Sequence, residues 1–173
     1  MTESRPEPWL RGTLAEIPVV HRAVLHALEL AEEDLMLWCR PLNAKEFNEQ
    51  PGGVPPVAFH IRHIARSIDR LLTYAEGRQL SEQQMIALRS EMDGDAEPED
   101  VFLELRAVFG NTARRIRALT GENLEAVRTV GRKGLPTRLA ALLVHVAEHT
   151  QRHVGQAITT AKIVRGVANR EAP

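Results

Sequence analysis

The chain has one cysteine, Cys39, among 173 residues. A lone thiol excludes an internal disulfide, and no CxxC pair is present. Aromatic residues make up only 4% against an apolar fraction of 43%, so the interior is rich in Leu, Ala and Val, the composition of packed helices. Neither sign of charge dominates: 22 Lys and Arg face 23 Asp and Glu, for a net charge of −1. That balance excludes the basic surface of a nucleic-acid binder and an acidic tail. No uncharged apolar run reaches the roughly 18 residues that a membrane span needs. There is no internal repeat, low-complexity tract, Gly-rich phosphate loop or serine in a nucleophile elbow. Met1 is followed by the polar segment TESRPEPW rather than an apolar signal region, which points to the cytoplasm. Cys39 ends an apolar helical pattern, so a buried packing role is expected for it.

What the chain does have is helical periodicity. Residues 1–14 read as a lead-in, with Trp9 and Leu10 as its expected anchors. A first helix is expected over residues 18–39, with Ile17, Val20, Val24, Leu28, Ala31, Leu35 and Trp38 as its buried stripe and His26 nearly opposite. A Pro- and Gly-rich loop follows Pro41. A second helix spans residues 56–76, with Val57, Ile61, Ile64, Ile68, Leu71, Leu72 and Ala75 on one face. Ser81 opens a capping box for a short helix to about Met92. A third long helix covers residues 98–119 on Val101, Leu105, Val108, Thr112, Ile116 and Leu119. Arg114, Arg115 and Arg117 at its end suit the helix dipole and read as a solvated end. Residues 121–135 read as a loop, and a last helix runs over residues 136–165 before a frayed tail over residues 167–173. Four long amphipathic helices must bury their stripes on one another. The expectation is one all-α domain over residues 1–173, a four-helix bundle with one short extra helix.

The chemistry is expected on the last helix. It carries three of the seven histidines, His145, His149 and His153, at successive steps of four. Four residues on a helix turn about 40° and rise about 6 Å, so two such imidazoles can reach one metal ion. Leu139, Leu142, Val146, His149, His153 and Gln156 read as a continuous seam. That would set two imidazoles where Leu or Val belongs, and a core does not bury them without partners. Two ligands are too few, since an open zinc site wants three. His21, His60 and His63 are the candidates for the third. On periodicity His60 leads, at about 60° from the centre of the second helix's stripe against about 120° for His63.

The segment FHIRHIARSIDRLL resembles the second helix of the DinB/YfiT-like superfamily of metalloenzymes, in which a histidine precedes an aliphatic residue and Ala, as in His63-Ile64-Ala65. HVAEHTQRHVGQ is similar to that family's H-V-x-N-H-x-x-x-H-R-G-Q in the last helix. The resemblance implies a four-helix bundle in which His63, His149 and His153 bind a divalent metal, with His60 as the fallback ligand. His60 and His145 would otherwise be supporting groups beside the ligand rings. The chain departs from the pattern in several places: Val154 stands for a usual Arg, Glu148 for Asn, Arg66 for a frequent Asp, and Pro55-Pro56 for a common Trp.

Three neutral imidazoles leave an ion its full charge and an open position. Zn²⁺ or Ni²⁺ suits such a set, with Fe²⁺ or Mn²⁺ as alternatives. The resemblance further implies a small-molecule substrate, a low-molecular-weight thiol as co-substrate, and a homodimer, for which only Met36 and Leu37 outside the stripes speak here. The expected activity is thiol transfer or thiol-dependent isomerisation. The alternative is a non-catalytic bundle that binds a metal or ligand in a stress-response or structural role. Asp69 and Glu148 are the carboxylates nearest in sequence, and neither is marked as a general base.

Overall fold

Each long helix exposes one apolar stripe to its neighbours, and the arrangement of the helices follows from covering those stripes. The computed structural model describes residues 5–171, with side chains over residues 5–166. Its elements are α1 (Val19–Trp38), α2 (Ala44–Asn48), α3 (Val57–Ala75), α4 (Glu82–Arg89), α5 (Pro98–Ala118), strands β1 (Val127–Val130) and β2 (Leu135–Arg138), and α6 (Leu139–Glu171). Single 3-10 turns precede α1 and α3. The central helix is α3, which packs on α6 along one side and on α5 along the other, while α1 covers α6 and touches α5. The four stripes meet in one core whose largest fully buried members include Phe47, Phe102, Leu35, Ile61, Ile64, Ile68, Leu105 and Leu143. No helix among the described residues is long and apolar enough to cross a membrane.

The long elements begin and end close to where periodicity sets them. Ser81 caps α4 as expected, with Gln84 returning the bond to the Ser81 amide. Two connections differ from expectation. The loop after Pro41 contains α2, closed by a capping box between Asn43 and Glu46, and it drives Phe47 into the core against Phe102. Five residues are too few to show a helical period. The segment read as a loop over residues 121–135 forms a hairpin instead, pairing Val127 with Arg138 and Val130 with Leu135. Its turn lies between Gly131 (φ 71°) and Gly134 (φ 58°), backbone that side chains with a Cβ rarely adopt. Pro136 therefore sits in β2 opposite Thr129 rather than opening α6.

The hairpin fixes both helices that matter below. Arg128 donates to the Ala75 carbonyl at the end of α3 (2.6 Å). The first amides of α6, on Leu139 and Ala140, donate to Ala126 and Leu124 carbonyls at 3.0 and 2.9 Å. At its other end α6 continues past Gly166 to Glu171, since one glycine costs a helix only about 1 kcal/mol. The expected tail over residues 167–173 is thus helical backbone as far as Glu171, and its last two residues lie outside the described residues.

Several side chains have roles that differ from the sequence expectation. Trp38 is 38% exposed and its ring takes the Lys162 ammonium at 4.1 Å, while Cys39 fills the stripe's last core position. Burial pushes the Cys39 thiol up to about 12. His26, which periodicity sets nearly opposite the buried stripe, is itself buried and lies 3.1 Å from the Thr13 hydroxyl; the lead-in folds back over that face of α1. Trp9 and Leu10 do not anchor it, being 62% and 58% exposed. Arg11 does, through Glu29 (2.8 Å) and Glu33 (2.7 Å) of α1. Arg115 is not part of a solvated end: it bonds Asp69 of α3 and Glu76 at that helix's C-terminal cap, each at 2.6 Å. Arg66 clamps Glu104 of α5 and the α4 carbonyl of Ala87. Together these arginines brace α3 from the side away from α6.

Candidate metal centre

Where α3 meets α6, four imidazoles converge. His60 and His63 lie one turn apart on α3, and His149 and His153 one turn apart on α6. His63 Nε2 lies 2.8 Å from His149 Nε2. The His153 ring centroid is 4.3 Å from that of His63 and 4.7 Å from that of His149. One ring nitrogen each of His63, His149 and His153 lies within 4.8 Å of the others, and these three residues could hold a metal ion. Of the three sequence candidates for the third position, the structure thus brings His63 to the pair. His60 stands behind the trio, its Nδ1 3.1 Å from His153 Nδ1. His21 is elsewhere, buried with Nε2 on the Leu119 carbonyl at 3.2 Å. His145 turns to Glu148 at 2.6 Å and reaches only the side of the His149 ring.

The seam of α6 differs from the expected one. Its buried positions are Leu139, Leu142, Leu143, Val146, Thr150, Val154, Ala157, Thr160, Ala161 and Val164, so His149 and His153 lie on its flank and Gln156 is exposed. A stripe that follows 3.6 residues per turn drifts away from a strict alternation of threes and fours, and here Thr150 and Val154 take the core positions. The imidazoles are therefore half-buried at the rim, where an ion could keep an open face. Val154, at the family's usual arginine position, is a core residue.

A carboxylate with no signal in the sequence fixes which nitrogen of His63 carries its proton toward the protein. Glu91, just beyond α4, is 4% exposed and accepts from His63 Nδ1 at 2.7 Å and from Arg70 at 2.7 Å. An imidazole that donates through Nδ1 presents a lone pair at Nε2. Burial raises the Glu91 carboxyl, but the bonds from His63 and Arg70 outweigh it and hold it below its ordinary value. The expected neighbours do not reach the rings: Asp69 is held by Arg115, and Glu148 lies outside on His145. Phe59 was likewise unmarked; its ring stacks on His63 at 5.3 Å and stands edge-on to His60.

The donor set fits a borderline divalent cation. Neutral imidazoles at about 2.0–2.1 Å are ordinary zinc ligands, and a nitrogen separation of 2.8 Å is short enough for two of them to share one ion. His149 Nδ1 is buried without a hydrogen-bond partner. Burial first, then the neighbouring His63, lowers His60 to about 4, His149 to about 4 and His153 to about 3. All three are therefore neutral at pH 7. An unfolded histidine titrates near 6.5, so below that pH the unfolded chain binds more protons. The stabilisation is complete above about pH 6.5 and is lost as pH falls through the folded values. Thermal melts of the metal-free protein from about pH 7 to about pH 4.5 should show a falling melting temperature. His153→Gln should flatten that slope, and equal slopes would contradict the assignment.

A cleft of about 620 Å³ opens beside His60 and His153. Val54, Pro55 and Phe59 line it from the α3 side, and Arg152, Gln156 and Ile163 from α6. A second cavity, of about 430 Å³, lies between α1 and α5 and has no histidine in its wall. The chain matches the family model of the DinB superfamily over residues 27–157, which include all four converging histidines. No curated protein matches it.

Proposed function

Because the chain belongs to the DinB superfamily, we propose that it is a divalent-metal-dependent enzyme in which His63, His149 and His153 hold the ion. The four long helices α1, α3, α5 and α6 are read accordingly as the family's four-helix bundle. The observation that carries the proposal is the approach of three ring nitrogens from two helices to within 4.8 Å. Zn²⁺ or Ni²⁺ suits the all-nitrogen set best, with Fe²⁺ or Mn²⁺ as alternatives. A divalent ion there would supply the positive charge that lowers the pKa of a thiol and makes it nucleophilic at neutral pH.

The chain's own groups do the rest. Glu91 keeps the His63 proton on Nδ1, away from the cluster. His60 holds the His153 ring from behind. Phe59 stacks on the His63 ring and presents an apolar face beside it. The cleft, whose wall includes Phe59, admits a small molecule beside His60 and His153. The reaction class is transfer of a low-molecular-weight thiol to an electrophile, or isomerisation through a thiol adduct, by a cytoplasmic homodimer.

One observation favours a second reading. The 2.8 Å contact between His63 and His149 is also a good hydrogen bond, and a non-catalytic bundle could use it simply to tie α3 to α6. The two readings separate by assay. The Zn- or Ni-loaded protein should accelerate conjugation of cysteine to 1-chloro-2,4-dinitrobenzene more than about tenfold, a barrier change of about 1.4 kcal/mol. His149→Ala should return the rate to that in buffer. An unchanged rate in that variant removes the enzymatic reading.

A further inference from the structure

We propose that the cleft beside His153 binds a small amphipathic carboxylate, with its charge on Arg152 and its hydrocarbon body between Val54, Phe59 and Ile163. The cleft's volume of about 620 Å³ is in the range of small-molecule sites. Val54 and Ile163 are 43% and 44% exposed, large apolar side chains left in water on opposing walls. Covering such surface is favourable in proportion to its area. Pro55 and the Phe59 ring continue the same apolar lining toward the histidines.

The polar end is set by charge. Among the described residues, Arg152 is the one Lys or Arg in the lining, and no carboxylate shares it. Its ionic partner is Glu148, at a loose 3.8 Å with both side chains more than half exposed. Glu148 already accepts from His145 at 2.6 Å. An exposed pair of this kind contributes little and yields readily to a better partner. A guanidinium offers a planar fork that matches a carboxylate. One cation answers one negative charge, which favours a monoanion over a phosphate dianion. Gln156, exposed on the same wall, adds a neutral donor.

The inference deepens the proposed function by naming the substrate class of that centre, but the binding it expects does not need the metal. Calorimetric titration of the full chelator-treated chain with 4-phenylbutyrate and with 4-phenylbutanol tests it. The acid should bind roughly tenfold more tightly than the alcohol. Arg152→Gln should abolish that preference and leave the alcohol's affinity unchanged, and Ile163→Asn should weaken both ligands. Equal binding of the two by the wild type, a preference that survives Arg152→Gln, or binding of neither overturns the inference. A carboxylate preference in a chain without thiol turnover would sustain the inference and sink the proposed enzyme; turnover without the preference would do the reverse.

Discussion

His149→Ala should abolish stoichiometric divalent-metal binding, and His63→Ala and His153→Ala should each do the same. Each substitution leaves two imidazoles where an open site needs three protein ligands. His60→Ala should behave differently. His60 touches the cluster through His153 Nδ1 at 3.1 Å, and loss of a group that only orients a ligand costs roughly 10–100-fold in affinity. Elemental analysis after dialysis, followed by titration against a competing chelator, measures both effects. Metal retained at full stoichiometry by His149→Ala would refute the site. A loss in His60→Ala as complete as in His63→Ala would make His60 a ligand.

Glu91→Ala should lower the unfolding free energy by about 3–5 kcal/mol, the usual cost of breaking a buried ion pair by removing one partner. The Arg70 and Glu91 side chains are 11% and 5% exposed. Truncating Glu91 leaves the guanidinium in that setting with no carboxylate and takes the acceptor from His63 Nδ1 as well. Glu91→Gln is the gentler variant. Its amide oxygen can accept from one neighbour, but its NH₂ group then meets a donor on the other. Urea unfolding in the presence of a chelator reads the stability, and the competing-chelator titration should show a loss of roughly 10–100-fold in metal affinity for Glu91→Gln. A variant with wild-type stability would show that the buried pair contributes nothing net.

Most of the helical architecture was legible in the sequence because each long helix has a stripe that repeats over many turns. Ile61, Ile64 and Ile68 on α3 and Leu105, Thr112 and Ile116 on α5 stand in the core as their spacing implies. Elements shorter than a period were not legible. Neither α2 nor the hairpin repeats anything, and Pro136 carried a helix-start signal into what is β2. The four converging histidines were all legible as candidates, but periodicity alone put His60 ahead of His63, the ring that lies against His149. Periodicity correctly makes His60 more buried than His63, at 3% against a side-chain exposure of 17%. The less buried ring is nonetheless the one that meets His149, at the rim of the core where an ion could keep an open face. Glu91 was illegible for another reason: it reaches His63 from 28 residues away, past the end of a separate helix. Only the packing of α4 on α3 brings the two together.

The sealed position of Cys39 bears on how long such a protein would last at work. A catalyst that gathers soft nucleophiles and electrophiles risks modifying itself, since its own sulfhydryl competes with the intended acceptor for each reactive molecule. Here the chain's one sulfhydryl has no accessible surface, and burial keeps it protonated far above neutral pH, whereas attack requires the thiolate. The scaffold thus withholds its one thiol from the reagents it would handle, and modification at that sulfur would first require the end of α1 to come away from the core.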